Sequence, residues 1–181
     1  IYGKDAVKDE EEFREMIAGG LKGQLAADSD YKFIQDVRTY TENKVGALAY
    51  PDALLKRIML NNNKDKDQSF VDKNYDQSIK ELTWHLIKEQ LVRATEVKVG
   101  DDDIRDTAKE AARAQFAQYG MTNIPEEYVD NYADDMIKKG ENTDGLVDRA
   151  IDRKLTTALK KVVKLNEKSI SLDDFNELMS K

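Results

Sequence analysis

The residues best placed to do chemistry are the oxygen-bearing run Asn61-Asn62-Asn63-Lys64-Asp65-Lys66-Asp67, which alternates like a calcium loop. An EF-hand loop needs Gly at its sixth position and a bidentate Glu at its twelfth. In the two registers available here the sixth position is Lys66 or Gln68 and the twelfth is Asp72 or Asn74. The run therefore reads as a solvated connector. Asp101-Asp102-Asp103 offers three carboxylates, but neighbouring helical positions point about 100° apart, and acids in a first turn are accounted for by the helix dipole. His85 is the single histidine, and Glu89 is its only candidate partner one turn on. It reads as a packed or hydrogen-bonded structural residue. Gly19-Gly20-Leu21-Lys22-Gly23-Gln24 has the glycines of a phosphate loop, but no Ser or Thr follows its Lys. With no Cys in the chain, disulfides, zinc-thiolate sites and thiol nucleophiles are excluded. No catalytic residue, cofactor or metal is expected, and the chain is not expected to be an enzyme.

The elements that must carry any function are written in the composition. The chain has 181 residues, 40% apolar and 36% charged, with nine Gly and two Pro. That length suits one domain, 1–181, and so few turn residues argue against a β-sandwich. No run of about 18 apolar residues occurs, which excludes a membrane-spanning helix. The N-terminus has neither a basic start nor an apolar stretch, so no signal peptide is expected; it begins with Ile rather than an initiator Met, and the chain is expected to be a processed form or an excised piece. Net charge is −7, and residues 101–140 concentrate it, with ten acidic against five basic side chains. A chain without a basic stripe is a poor nucleic-acid binder, so neither nucleic acid nor membrane is an expected partner.

Seven helices are predicted and no strand, an all-α fold. The first runs from Asp9 to Asn43, with Asp9 and Glu12 as a capping box and Phe13, Ile17, Leu21, Leu25, Phe33, Val37 and Tyr40 as its apolar stripe. Gly19, Gly20 and Gly23 mark a weak point or bend in it, or a close approach of a partner backbone. Pro51 opens a short second helix, and Ser69 to Thr95 forms a third whose two offset stripes suggest a central position. The fourth, from Gly100–Asp101 to before Gly120, has an Ala-rich face of Ile104, Ala108, Ala111, Ala112, Phe116 and Tyr119. Pro125 opens the fifth and Gly140 closes it. Asn142 or Thr143 caps the sixth, expected to bury Leu146, Val147, Ile151, Leu155, Leu159 and Val162. Ser171 with Asp174 opens the last, which presents Leu172, Phe175, Leu178 and Met179. Leu82, Leu86, Leu91, Ile151, Leu155 and Leu159 are the expected core.

Five Met and eight Tyr lie in or beside these stripes. Flexible Met and amphipathic Tyr suit a surface that repacks against many partners, although they equally fill a core. From Tyr50 onward the chain resembles the C-terminal, substrate-binding domain of bacterial trigger factor. The likeness is carried by YPDALLKRIM (Tyr50 to Met59), by the long helix Ile79 to Val99 with the opening Gly100 to Ile104, and by the ending VVKLNEKSISLDDFNELMSK. Asp30 to Val45 is similar to the family's stretch before the Pro helix, in Bacteroidetes-like versions. The family's ribosome-docking loop, G-F-R-x-G-x-x-P, does not occur in this sequence, nor does a strand-rich isomerase segment.

The resemblance implies an elongated multi-helix domain with arm-like projections, similar also to the SurA peptide-binding core. It implies an ATP-independent, cytoplasmic chaperone that cradles exposed hydrophobic segments of unfolded or nascent polypeptides. The ribosome would be reached only through a domain not in this chain, and the long amphipathic helices allow a homodimer. On exposure patterns, the expected client contacts are Leu55, Met59, Phe116, Tyr119, Met121, Tyr128, Tyr132 and Met136. Serine at Phe116, Tyr132 and Met136 is expected to weaken holding while leaving helicity intact. The acidic block is expected to favour basic or mixed clients. Rival readings are a periplasmic SurA-like core and a structural helical module with one fixed partner.

Overall fold

The computed structural model describes residues 8–121, 124–140 and 143–180, and among them it is all-α, with seven helices and no strand. They are α1 (Glu10–Val45), α2 (Asp52–Asn62), α3 (Gln68–Ala94), α4 (Asp101–Gln118), α5 (Glu126–Lys138), α6 (Thr143–Val162) and α7 (Leu172–Met179). The helix starts follow the capping logic: the Glu12 amide donates to Asp9 Oδ1 at 2.8 Å, and the Asp174 amide donates to Ser171 Oγ at 3.2 Å. The expected cap Asn142 lies outside the described residues. Asp67, expected within a connector, accepts from the Phe70 amide and the Ser69 hydroxyl and so starts α3 one residue early. Gly120 ends α4 at φ +75, where the Met121 amide reaches back to the Phe116 carbonyl and the Gly120 amide to that of Ala117. This Schellman closure needs a left-handed residue, which Gly supplies without a Cβ penalty.

The described residues form two compact units, one holding those up to 34 and from 95 onward, the other Gln35–Ala94. In the first, α4 packs against both α5 and α6. Ala108, Ala133 and Leu146 make the seam, with Ile104, Ala111, Met136 and Ile137 around them. Alanines at the seam let the helix backbones approach closely, which is why an Ala-rich face was the right signature for a packed helix. Leu146, Leu155 and Leu159 of α6 are buried, as expected, and so is Ala150; Val147 and Ile151 are only half-buried, and Val162 is 70% exposed. It lies at the last residue of the helix, where no described element covers it.

In the second unit α2 packs along α3. The Tyr75 hydroxyl donates to Asp52 Oδ1 at 2.6 Å, and Lys56 sits 4.8 Å over the same ring. Arg38, from the last third of α1, bridges Glu42 and Glu81 and lies 5.7 Å from the Trp84 ring centroid. Burial first, then the hydrogen bond to Asp52, pushes the Tyr75 phenol up to about 12. A folded pKa above the ordinary 10.0 means that this contribution to stability is complete below the ordinary value and is lost as pH rises toward 12. An alkaline ultraviolet titration is expected to show a tyrosinate component near pH 12, and Tyr75→Phe should remove it. A titration without that late component would mean that the Tyr75–Asp52 contact does not form in solution.

Two expectations about the core are corrected. Leu86 is 39% exposed, and α3 buries only Val71, Tyr75, Ile87 and the stem of Lys88. Each stripe is covered only in part, Tyr75 in the first and Ile87 in the second, and among the described residues the most closely packed helix is α4 rather than α3. His85 is exposed rather than packed. The α1 stripe is likewise mostly wet: only Ile34 of that helix is buried, and Leu21, Leu25 and Tyr40 are exposed. A Cβ added at Gly19, Gly20 or Gly23 meets nothing within 4 Å, and all three lie inside continuous helix. Ala at each is therefore expected to stabilise that part of α1 by roughly 0.5–1 kcal/mol, measurable as slower amide exchange. Faster exchange in the Ala variants would indicate that the glycines serve a close contact.

Candidate functional site

The antiparallel pair α4–α5 is joined by a ladder of ion pairs. Arg105, Lys109 and Arg113 recur every four residues on α4 and face Asp134, Asp130 and Glu126, equally spaced on α5. Arg105 Nε lies 2.8 Å from Asp134 Oδ1, Lys109 Nζ 2.6 Å from Asp130 Oδ1, and Arg113 Nη2 2.6 Å from Glu126 Oε2. The two outer, exposed pairs add little stability one by one, and with the half-buried Lys109–Asp130 pair between them they fix the register of the hairpin as a ladder. Lys154 of α6 reaches Asp103 at 2.7 Å, and Arg153 reaches Glu110 at 2.5 Å. Half of the ten acids in 101–140 are thereby matched internally. The acidic block that the sequence presents as a client-selecting surface is in large part helix-to-helix glue.

Its electrostatics follow from these contacts. The Gly100 amide, then Lys154, holds the Asp103 carboxyl below its ordinary value. Arg105 does the same for Asp134, and Arg113, then Lys109, for Glu126. Carboxyls with lowered folded values stabilise above their ordinary range and lose that contribution as pH falls through the lowered values. The helical signal of the α4–α6 unit is expected to melt at progressively lower temperature below about pH 4. Moderate salt should weaken the same unit at neutral pH, and a melting temperature flat in both variables would contradict the ladder.

Around this frame the expected client residues divide by exposure. Tyr119 (73% exposed), Met121 (47%) and Tyr128 (64%) are wet and sit where α4 ends and α5 begins. Phe116 and Tyr132 are half-buried against each other, ring centroids 5.1 Å apart, and the Tyr132 hydroxyl donates to Gln115 Oε1 at 3.0 Å. Met136 packs on the Ala108–Ala133–Leu146 seam. Serine at Met136 or Tyr132 is therefore expected to disturb packing as well as any client contact.

On α2, within the other unit, Leu55 and Met59 are half-buried, and Met59 Sδ accepts from the Ser78 hydroxyl at 3.9 Å. The outward positions are Leu54 and Ile58, each 44% exposed. One residue of helical phase, about 100°, separates them from the pair chosen on sequence. The first turns of α1 hold a further shallow depression in which Phe13, Ile17, Ala18 and Leu21 are flanked by Glu10 and Arg14. The sequence marks Phe13, Ile17 and Leu21 as one apolar stripe, which does not say whether that face is covered. Among the described residues no group of acidic or His side chains is arranged to hold a metal ion, and no helix is long and apolar enough to cross a membrane.

A family model described as "Probable trigger factor, C-terminal domain" matches residues 29–179. No curated protein and no solved structure gives a significant match.

Proposed function

This chain belongs to the trigger factor C-terminal domain family, and from that premise we propose that it holds exposed hydrophobic segments of unfolded or nascent polypeptides without ATP. A chaperone-type role goes with the family. The observation that supports the finer reading is the wet apolar end of the α4–α5 hairpin, Tyr119, Met121 and Tyr128, presented by a helix pair that its ion ladder and alanine seam keep rigid. Exposed apolar side chains in polar surroundings mark interaction surfaces. Two Tyr and one Met give large contact area with little sequence demand. Such a surface grips weakly and lets go fast, so release requires no nucleotide. The role is binding rather than catalysis, and the compartment we infer is the cytoplasm.

The test is light scattering by a chemically denatured client diluted into buffer with and without the protein, no nucleotide added. Dose-dependent suppression for several unrelated clients is expected. Tight, saturable binding of one partner with no suppression would establish a structural module instead.

A further inference from the structure

We propose that the cleft between residues 95–98 and the second half of α6 is a docking site for acidic segments of a polypeptide. The proposal rests on the chaperone reading and assigns a client chemistry to a site that lies apart from Tyr119, Met121 and Tyr128.

The cleft has a volume of about 450 Å³ and is lined by Thr95, Glu96, Val97, Lys98, Arg153, Lys154, Thr157, Ala158 and Lys161, within the size range of ligand sites. Four of these side chains are cationic, in a chain whose net charge is −7. Arg153, Thr157 and Lys161 recur every four residues and so share one face of the α6 helix. Arg153 and Lys154 are committed to Glu110 and Asp103. Lys98 and Lys161 form no ion pair among the described residues and are exposed. They are the cations with charge left to offer, and Glu96 is the one acid among the lining residues.

The opposite wall favours a polypeptide over a small anion. Val97 and Lys98 lie outside any helix, and their amides donate to no backbone group among the described residues. Main-chain groups free to pair, next to an apolar Val97 and Ala158, suit an extended peptide: its backbone meets Val97–Lys98 and its carboxylates meet Lys98 and Lys161. Glu96 sits at φ +54, the left-handed region. That conformation is disfavoured for a side chain with a Cβ, and here it turns the chain out of α3 along this wall. Client segments of mixed charge would thus meet this cleft with their acids.

The experiment is fluorescence anisotropy at low salt on the full chain. It uses a labelled peptide alternating Leu with Glu or Asp, and its analogue with Gln and Asn in those places. The acidic peptide is expected to bind about fivefold tighter than the amide analogue, as two exposed charge contacts allow. In Lys98→Gln/Lys161→Gln that preference should fall to within about twofold, whereas Glu96→Gln should widen it. Equal binding of the two peptides by the wild type, or a preference that survives the double variant, overturns the cleft while leaving the chaperone reading standing. If neither peptide binds and a denatured client is not protected, the chaperone reading falls as well. A single-stranded RNA oligonucleotide that competes more strongly than the acidic peptide would make the cleft a polyanion site and overturn the peptide assignment.

Discussion

Leu155→Ala is expected to cost the α4–α5–α6 unit about 3 kcal/mol, within the range of about 2–5 kcal/mol for buried Leu truncations. Leu155 has no exposed surface, on a helix that also buries Leu146, Ala150 and Leu159. Removing three carbons forfeits their transfer from water and leaves a void that the neighbouring helices can close only in part. Collapse is hindered because α4 is already held at short range by its alanines and by Lys154–Asp103 and Arg153–Glu110, which tie it to α6 at the two residues just before Leu155. Urea denaturation followed by circular dichroism should show a lower midpoint with an unchanged slope, and amide exchange should accelerate across α4–α6. Leu172→Ala is the matched comparison, since Leu172 is 59% exposed, and surface changes of that kind stay within about 0.5 kcal/mol. Similar losses for the two would mean that α6 is not buried as described.

The helices were legible because their starts and stops are local chemistry. Asp9, Pro51, Gly100, Pro125 and Ser171 act through hydrogen bonds or dihedral limits that span three or four residues, and each marks a helix start in the structure. The family was legible too, from the order of the helices and the Phe-Asn-Glu-Leu-Met ending. What periodicity could not reveal is which stripe meets a neighbour. A stripe states that one face is apolar; burial requires a second helix on that face, and this depends on contacts far apart in sequence. Leu86, Val162, Leu21 and Leu25 carry the same signature as Leu155 and Leu159, yet only the last two are covered. The candidate surface suffered the same ambiguity in reverse. Phe116, Tyr132 and Met136, read as client contacts, are half-buried in packing. Leu54 and Ile58 share α2 with Leu55 and Met59, and a helix of eleven residues gives little phase information to say which pair faces outward. The i, i+4 cation ladder of α4 was visible in sequence, as was its acidic counterpart on α5. Charge totals hid it, since a sum over forty residues discards the spacing that makes opposite charges meet.

The three wet residues at the hairpin end provide the sharpest test of function. Tyr119→Ser, Met121→Ser and Tyr128→Ser together are expected to weaken client holding at least about tenfold, that is by about 1.4 kcal/mol. Covering even half of three such side chains is worth more than that, and the ordering of the client offsets part of it. The change should fall on dissociation rather than association, because rates of encounter vary little among variants of one surface. Stability should hardly move. None of the three is buried, and the closure of α4 runs through the backbone of Phe116, Ala117, Gly120 and Met121, which Ser at 121 can still make. The contrasting variant is Met136→Ser. Its side chain packs on the Ala108–Ala133–Leu146 seam, so it should lower the melting temperature first and affect holding only as the hairpin loosens. Holding at wild-type strength in the triple Ser variant, with its helicity intact, would remove this end of the hairpin from the client surface. The apolar face of Leu54 and Ile58 and the depression at Phe13, Ile17 and Leu21 would then be the places to substitute next.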